Sequence, residues 1–180
     1  ILAAATDEWR GMILCGLYTG QRLGDIARLR WTAIDLEQRE MRFVTGKTGR
    51  PVILPIAGPF LEYLAGCHAP DEPTAPVFSA AHSVVEKNGK TAQLSNQFHD
   101  IMAAAGLCEP RGHGKNADRE GVARRTSEIS FHCLRHTATS LLKNAGVSEA
   151  VAMDIIGHES KAISLNYTHI DTDAKRIALE

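Results

Sequence analysis

One stretch of this chain, residues 39–56, has the pattern of a β-hairpin, whereas its other regular patterns are helical. The apolar runs "REMRFV" and "PVILPI" flank the segment "TGKTGR", which contains two glycines and suits a turn. The remaining periodic segments repeat their apolar residues at helical spacing. The sequence therefore predicts a mainly α fold with one small antiparallel β-sheet, an α+β architecture.

The helical segments carry recognisable start and stop signals. In the first, apolar residues follow helical spacing from Trp9 to Leu17, Thr6 or Asp7 can cap the start, and Gly20 can end it. Residues 67–91 lack a steady period and hold three prolines, so we expect a loop there with one short strand at "PVFSA". The other predicted helices are "LGDIARLRW", "GPFLEYLAGC", "TAQLSNQFHDIMAAAGL", "SFHCLRHTATSLLKNAG", "SEAVAMDIIGH" and "SKAISLNYTHI".

Length and composition suit one folded domain spanning residues 1–180. The chain is 44% hydrophobic and 23% charged, and no apolar run approaches the length that crosses a membrane. It begins without Met or a signal peptide, so we expect a piece of a longer protein that lacks an N-terminal domain. The four cysteines form no C-x-x-C pair, which argues against a disulfide framework or zinc ribbon and favours a reducing cytosol.

Charge is unevenly distributed along the chain. The formal net charge is −1, which is low for a DNA-binding domain. Residues 111–143 nevertheless hold a local excess of basic groups that can face phosphate, although a solvated loop explains them equally well. The basic residues of this stretch are Arg111, Lys115, Arg119, Arg124, Arg125, Arg135 and Lys143, and its acids are Asp118, Glu120 and Glu128.

The segment "SFHCLRHTATS" places polar groups at the start of a helix. His132 and Arg135 are three residues apart and share one helix face. A helix N-terminus favours anions, so an arginine fork and an imidazole there suit a phosphate clamp. An H-x-x-R pattern alone fits surface or capping roles as well. The stripe we expect this helix to bury is Leu134, Ala138, Leu141 and Leu142.

Four further positions can carry chemistry. Arg22 follows the Gly20 break, and Asp25 lies close enough to orient a neighbouring group, although the two can also form a weak surface pair. Lys47 lies at the expected hairpin tip, where a lysine is usually solvated but can also donate a proton. The other two are His158, after the helix-ending Gly157, and Tyr167, whose hydroxyl needs activation because its ordinary pKa is near 10.

These positions, in this order, resemble the catalytic domain of the tyrosine recombinases, the phage integrase family. The matching segments are "YTGQRLGDIARLRWTAIDL", "GKTGRPVILP", "SFHCLRHTATSLLKNAGVS", "IIGHES" and "NYTHI", which together span nearly the whole chain. The resemblance implies a site-specific DNA recombinase. The catalytic positions it assigns are Arg22, Lys47, His132, Arg135, His158 and Tyr167.

The resemblance also implies a role for each group. Tyr167 attacks the scissile phosphate and forms a 3′-phosphotyrosyl link, while Arg22 and Arg135 hold the non-bridging oxygens. His132 acts as general base or orienting group, His158 hydrogen-bonds the phosphate, and Lys47 protonates the leaving 5′-oxygen. Asp25 and His136 support these groups without reacting. Neither metal nor cofactor is expected.

The same resemblance implies partners and a setting. Double-stranded DNA is the expected substrate, and a homotetramer is expected to bind it. The isolated fragment is expected to be a monomer. The expected location is the cytoplasm of a bacterium, with no membrane involved. A helical core-binding domain would precede residue 1. Integration or excision of a mobile element is the favoured task. The resemblance assigns no role to the long loop of residues 108–128, but its positive charge leads us to expect contacts with the DNA backbone. The residues expected to make them are Arg111, Lys115, Arg119, Arg124 and Arg125.

Three other functions compete with the recombinase. A type IB topoisomerase uses the same tyrosine chemistry, and a non-cutting DNA-binding protein can keep the same fold. A helical zinc protein is the third, although no ligand pair has the usual spacing. Its candidate ligands are Cys67, His68, Cys108, His113, His132 and Cys133.

Overall fold

A computed structural model of the chain describes residues 1–44, 49, 51–68, 72–111 and 129–157. Within these ranges the chain forms helices and one three-stranded antiparallel sheet in the order β1-β2-β3, which confirms the expected fold class. The strands are β1 (Ile34–Asp35), β2 (Glu40–Val44) and β3 (Pro51–Pro55). The helices are α1 (Asp7–Thr19), α2 (Leu23–Ala27), α3 (Gly58–Gly66), α4 (Ser79–Asn88), α5 (Ala92–Ala104), α6 (His132–Asn144) and α7 (Glu149–Ile156).

The sheet contains the expected hairpin and one additional strand. Met41 pairs with Leu54 and Phe43 pairs with Val52, and all four side chains are buried. Their alternation with exposed residues gives the hairpin one face on the core. The two-residue strand β1, which the sequence pattern did not reveal, extends the sheet by pairing with β2.

The expectation of a loop over residues 67–91 is wrong, because α4 lies within it. Ala81 and Val85 are one helical turn apart and buried, which anchors this helix to the core. Its first turn is capped by another element, since the carboxylate of Glu8 accepts hydrogen bonds from the backbone N–H groups of Ala80 (3.2 Å) and Ala81 (2.7 Å). The expected strand at "PVFSA" is reduced to a single bridge between Arg30 and Pro76.

Helix α1 lies at the centre of the core and orients the start of α6. Its N-cap Thr6 and C-cap Gly20 are those expected from the sequence. Trp9 packs with Phe98 and Phe131, with ring centroids 5.1 to 6.3 Å apart in this cluster. Phe131 directly precedes His132, so this packing fixes where α6 begins. No helix in the described part of the chain is long and apolar enough to cross a membrane.

The expected buried stripe of α6 is wrong in part. Leu141 is 56% exposed, and Leu134 and Leu142 are only partly buried. The buried residues of this helix are Arg135, Ala138 and Thr139. Polar groups can occupy this face because they are hydrogen-bonded there: the Thr139 hydroxyl donates to the Arg135 carbonyl at 2.8 Å, and the guanidinium of Arg135 has carbonyl partners described below.

Replacing Gly20 by alanine is expected to lower the free energy of unfolding by about 2–4 kcal/mol. Gly20 has φ +62°, and a Cβ there would lie 2.4 Å from Cδ1 of Ile156 in α7. Gly89→Ala is the matched control, because Gly89 has φ +63° and nothing within 4 Å of the added Cβ. This control should lower the free energy of unfolding only by the backbone strain, about 1–2 kcal/mol. Urea unfolding measures both losses, and equal losses would contradict the Ile156 contact.

Candidate active site

The turn between α1 and α2 is held rigidly by hydrogen bonds. The Thr19 hydroxyl donates to the Cys15 carbonyl (2.6 Å) and accepts from the backbone N–H of Gln21 (3.2 Å). The side-chain amide of Gln21, which is 2% exposed, donates to the carbonyls of Thr19 (3.3 Å) and Ile155 (3.2 Å). The turn that leads to Arg22 is therefore tied to the end of α7.

A cavity of about 630 Å³ opens beside this turn. It lies between α2 and the beginnings of α5 and α6, and brings together three residues singled out in the sequence, Arg22, Asp25 and His132. His132 lies more than a hundred residues after Arg22 and Asp25 in the chain, so its position beside them depends on the fold. The lining residues are Gln21, Arg22, Leu23, Gly24, Asp25, Arg28, Thr91, Ser95, Ser130, Phe131 and His132.

Arg22 is partly buried at this cavity, yet its guanidinium has no hydrogen-bond or ion-pair partner within the described ranges. The surface pair with Asp25 that the sequence also allowed is not formed. A partly desolvated cation without a counter-charge is costly to hold and attracts an anion. Arg22 can therefore bind an anion that enters the cavity.

Arg135 is placed differently from Arg22. Only 2% exposed, it lies outside the cavity lining and donates from Nη1 to the Gly20 carbonyl (2.6 Å) and from Nη2 to the Gly157 carbonyl (3.4 Å). Gly20 ends α1 and Gly157 ends α7, each in the left-handed conformation. One guanidinium therefore joins two helix ends and satisfies carbonyls that the helices leave unpaired.

His132 lies at the start of α6, with its ring 5.5 Å from that of His136 in an edge-to-face arrangement. Partial burial lowers the pKa of His132 below its ordinary value of 6.5, and the nearby charges of His136, Arg135 and Arg22 lower it further. The imidazole is therefore mainly neutral at pH 7, and a neutral ring nitrogen can accept a proton. His136 packs against His132 through this ring contact, and its supporting role stays a prediction.

The other positions expected from the sequence divide into two groups. Arg111 is described, and its guanidinium forms a two-point pair with the Asp100 carboxylate at 2.8 and 2.5 Å, which raises the pKa of the arginine. This pairing occupies part of the fork expected to contact DNA. The remaining positions lie outside the described residues: Lys47, Lys115, Arg119, Arg124, Arg125, His158 and Tyr167.

The described residues do not support the zinc alternative. Cys108 Sγ lies 3.8 Å from Nε2 of His99, so these two side chains are neighbours. Among the described residues, however, no group of three or more histidine, cysteine or acidic side chains is arranged to hold a metal ion. His113, one of the candidate ligands, is outside the described residues.

Sequence reasoning missed several residues of the cavity, namely Gln21, Arg28, Thr91, Ser95 and Ser130. Gln21 could have been suspected from its position beside Arg22 in "TGQR". Arg28 could have been suspected as a second basic residue on the same short helix. Thr91 and Ser95 gave no local signal, because only the packing of α5 brings them to the cavity.

The phage integrase family model matches residues 1–174 of the chain. Among curated proteins, the chain is 27% identical over 154 residues to tyrosine recombinase XerC of Roseiflexus sp. (strain RS-1), covering 85% of the chain and 44% of that protein. It is 29% identical over 174 residues to XerC of Methylobacterium sp. (strain 4-46), covering 93% and 48%. The chain thus spans about half the length of these relatives.

Solved structures share the fold. The crystal structure of XerA recombinase superposes with a TM-score of 0.70 at 20% identity, covering 98% of the chain and 59% of that structure. A lambda integrase dimer bound to a COC' core site superposes with a TM-score of 0.60 at 19% identity, covering 92% and 43%. The family model covers nearly all of the sequence, including the turn and helix that bear Arg22, His132 and Arg135, and the chain therefore belongs to the phage integrase family.

Proposed function

We propose that residues 1–180 are the catalytic domain of a site-specific tyrosine recombinase that cleaves and rejoins double-stranded DNA. The observation that carries this proposal is the guanidinium of Arg22, which has no partner among the described residues and lines the same cavity as His132, whose pKa is lowered by partial burial. An anion-seeking cation beside a proton acceptor suits attack on a phosphodiester. Membership of the phage integrase family supports the same activity.

In the proposed reaction the Tyr167 oxygen attacks phosphorus and displaces the 5′-oxygen of the next nucleotide. His132 takes or orients the phenolic proton, and Lys47 gives a proton to the leaving oxygen. Arg22 binds the non-bridging oxygens, while Arg135 adds positive potential and keeps the ends of α1 and α7 together. His158, which directly follows Gly157 in the sequence, donates a hydrogen bond to the phosphate. Attack by the 5′-hydroxyl of another strand reverses the step.

DNA is the proposed partner, and a homotetramer on two duplexes is the proposed assembly. One solved structure of similar fold is a lambda integrase dimer on DNA, and another is a Tn1549 transposon integrase in complex with circular intermediate DNA. An integrase of Escherichia phage HK022 is among the curated relatives, at 21% identity over 149 residues, covering 83% of the chain and 38% of that protein. Integration or excision of a mobile element is therefore the proposed task.

Covalent capture tests the proposal directly. We would incubate the chain with a library of nicked duplexes of randomised sequence, so that a cleaved flank diffuses away and the adduct accumulates. Complexes that survive denaturing detergent are isolated, and their DNA is sequenced. We expect adducts from the unmodified chain and none from Tyr167→Phe.

Tyr18→Phe is the matched control, because Tyr18 is 41% exposed on α1 and has no proposed role. It should form adducts as the unmodified chain does. DNA binding without any adduct would favour the non-cutting DNA-binding function. Adducts accompanied by relaxation of supercoiled DNA, but never by strand exchange, would favour the topoisomerase.

A further inference from the structure

The cavity extends beyond the residues assigned to catalysis. Its lining also includes Arg28, which directly follows α2, Thr91, which directly precedes α5, and Ser95 in the first turn of α5. Arg28 is exposed, and its Nη1 donates to the Gly24 carbonyl at 2.9 Å, which orients the guanidinium along the cavity wall. None of these three residues has a role in the proposed cleavage step.

Arg28 and Thr91 are close together across Gly24. A Cβ built on Gly24 would lie 3.2 Å from Nη1 of Arg28 and 3.4 Å from Cγ2 of Thr91, so both side chains flank the same point. Within the described residues, the hydroxyls of Thr91 and Ser95 have no hydrogen-bond partner, and Arg28 has no carboxylate partner. A cation without a carboxylate partner and two hydroxyls without a hydrogen-bond partner, all judged within the described residues, therefore line the same part of the cavity.

The charges around the cavity favour the binding of more than one anion. Arg22 and Arg28 both line it, His132 is mainly neutral, and Asp25 is the single acid among the described lining residues. The step from Arg22 to Arg28 corresponds to roughly 9 Å along a helix axis. Successive phosphates of one DNA strand rise by about 3.4 Å along the duplex axis but lie further apart through space, so two arginines spaced on this scale can hold neighbouring phosphates of one strand.

We propose that Arg28, Thr91 and Ser95 form a second phosphate subsite, which binds a DNA backbone phosphate close to the scissile one. This inference rests on the proposed function, because it takes the occupant of the cavity to be DNA. A single phosphate contact leaves a strand free to rotate, whereas two contacts fix its direction and register. The subsite would thereby align the scissile phosphate for attack.

The salt dependence of DNA binding tests this subsite. We would measure the affinity of the chain for a fluorescein-labelled duplex of mixed sequence between about 50 and about 200 mM salt. Arg28→Gln should reduce the slope of log K against log [salt] by about 0.9, because one fewer counterion is released. Arg28→Lys keeps the charge and should keep the slope. Arg10→Gln is the control, since Arg10 lies outside the cavity and pairs with Asp7 at 2.8 Å.

Removing the hydroxyl of Thr91 or of Ser95 is expected to change DNA binding in a different way from removing the charge of Arg28. Ser95→Ala and Thr91→Val should each weaken binding by up to roughly tenfold at every salt concentration and leave the slope unchanged, because neutral donors release no counterions. Combined with Arg28→Gln, either change should have a smaller effect than it has alone, since the phosphate is then already poorly held. Thermal unfolding of each variant verifies that the fold is intact.

An unchanged slope for Arg28→Gln, or the same reduction for Arg10→Gln, would overturn the subsite. Covalent capture separates this outcome from failure of the proposed function. Adducts from the unmodified chain with an unchanged Arg28→Gln slope would overturn the subsite alone. A reduced slope without adducts would support the subsite and count against cleavage.

Discussion

Replacing Arg22 by glutamine is expected to slow formation of the covalent DNA adduct by about a thousandfold while leaving the free energy of unfolding unchanged or slightly higher. The guanidinium of Arg22 has no partner within the described residues, so its removal breaks no hydrogen bond or ion pair among them. Its contribution arises only when a phosphate enters the cavity and negative charge develops on the oxygens.

Single-turnover adduct formation on the duplex recovered by covalent capture measures the rate, and urea unfolding measures the stability. Arg10→Gln, an equivalent change on the exposed surface of α1, should alter neither quantity by much. A large loss of stability in Arg22→Gln would show that the guanidinium has a structural role, against our interpretation.

Replacing Arg135 by glutamine is expected to lower the free energy of unfolding by about 3–5 kcal/mol and to reduce adduct formation at least as strongly as Arg22→Gln. Its guanidinium is 2% exposed and donates to the carbonyls of Gly20 and Gly157. Glutamine cannot reach both carbonyls, so α1 and α7 would each end on an unsatisfied acceptor.

Arg135→Lys separates charge from geometry in this prediction. Lysine keeps the positive charge but lacks the planar fork that contacts two carbonyls at once, so it should recover only part of the stability. Urea unfolding of the two Arg135 variants beside Arg22→Gln gives the comparison. Similar stabilities for Arg22→Gln and Arg135→Gln would contradict the distinction between an uncommitted arginine and a structural one.

Under the proposed function, the two arginines prepare the site before substrate arrives. Arg135 is held by backbone carbonyls and contributes its charge from a fixed, buried position near His132. Arg22 directly follows Gln21, whose side-chain amide bonds the turn to α7. The backbone of Arg22 is therefore held in place without a hydrogen bond from its own guanidinium. A preorganised cation requires little rearrangement when charge develops in the transition state.

The local sequence pattern was sufficient to predict those parts of the structure that interactions between neighbouring residues determine. The hairpin followed from alternating apolar residues around a glycine-containing turn, and the ends of α1 followed from Thr6 and Gly20. It failed for α4, because the cap of that helix is the carboxylate of Glu8, more than seventy residues earlier in the chain. No window of neighbouring residues contains that hydrogen bond.

The sequence by itself determined the fold class and the order of the candidate catalytic residues, because helical period, turn chemistry and motif spacing are properties of neighbouring positions. Only the tertiary structure decided that Arg135 donates to two backbone carbonyls while Arg22 has no partner among the described residues, since both are arginines beside a helix start in the sequence. It also decided that Arg28, Thr91 and Ser95 share a cavity with His132. The reason is that burial and partners depend on how α2, α5 and α6 pack together, and that packing joins residues far apart in the chain.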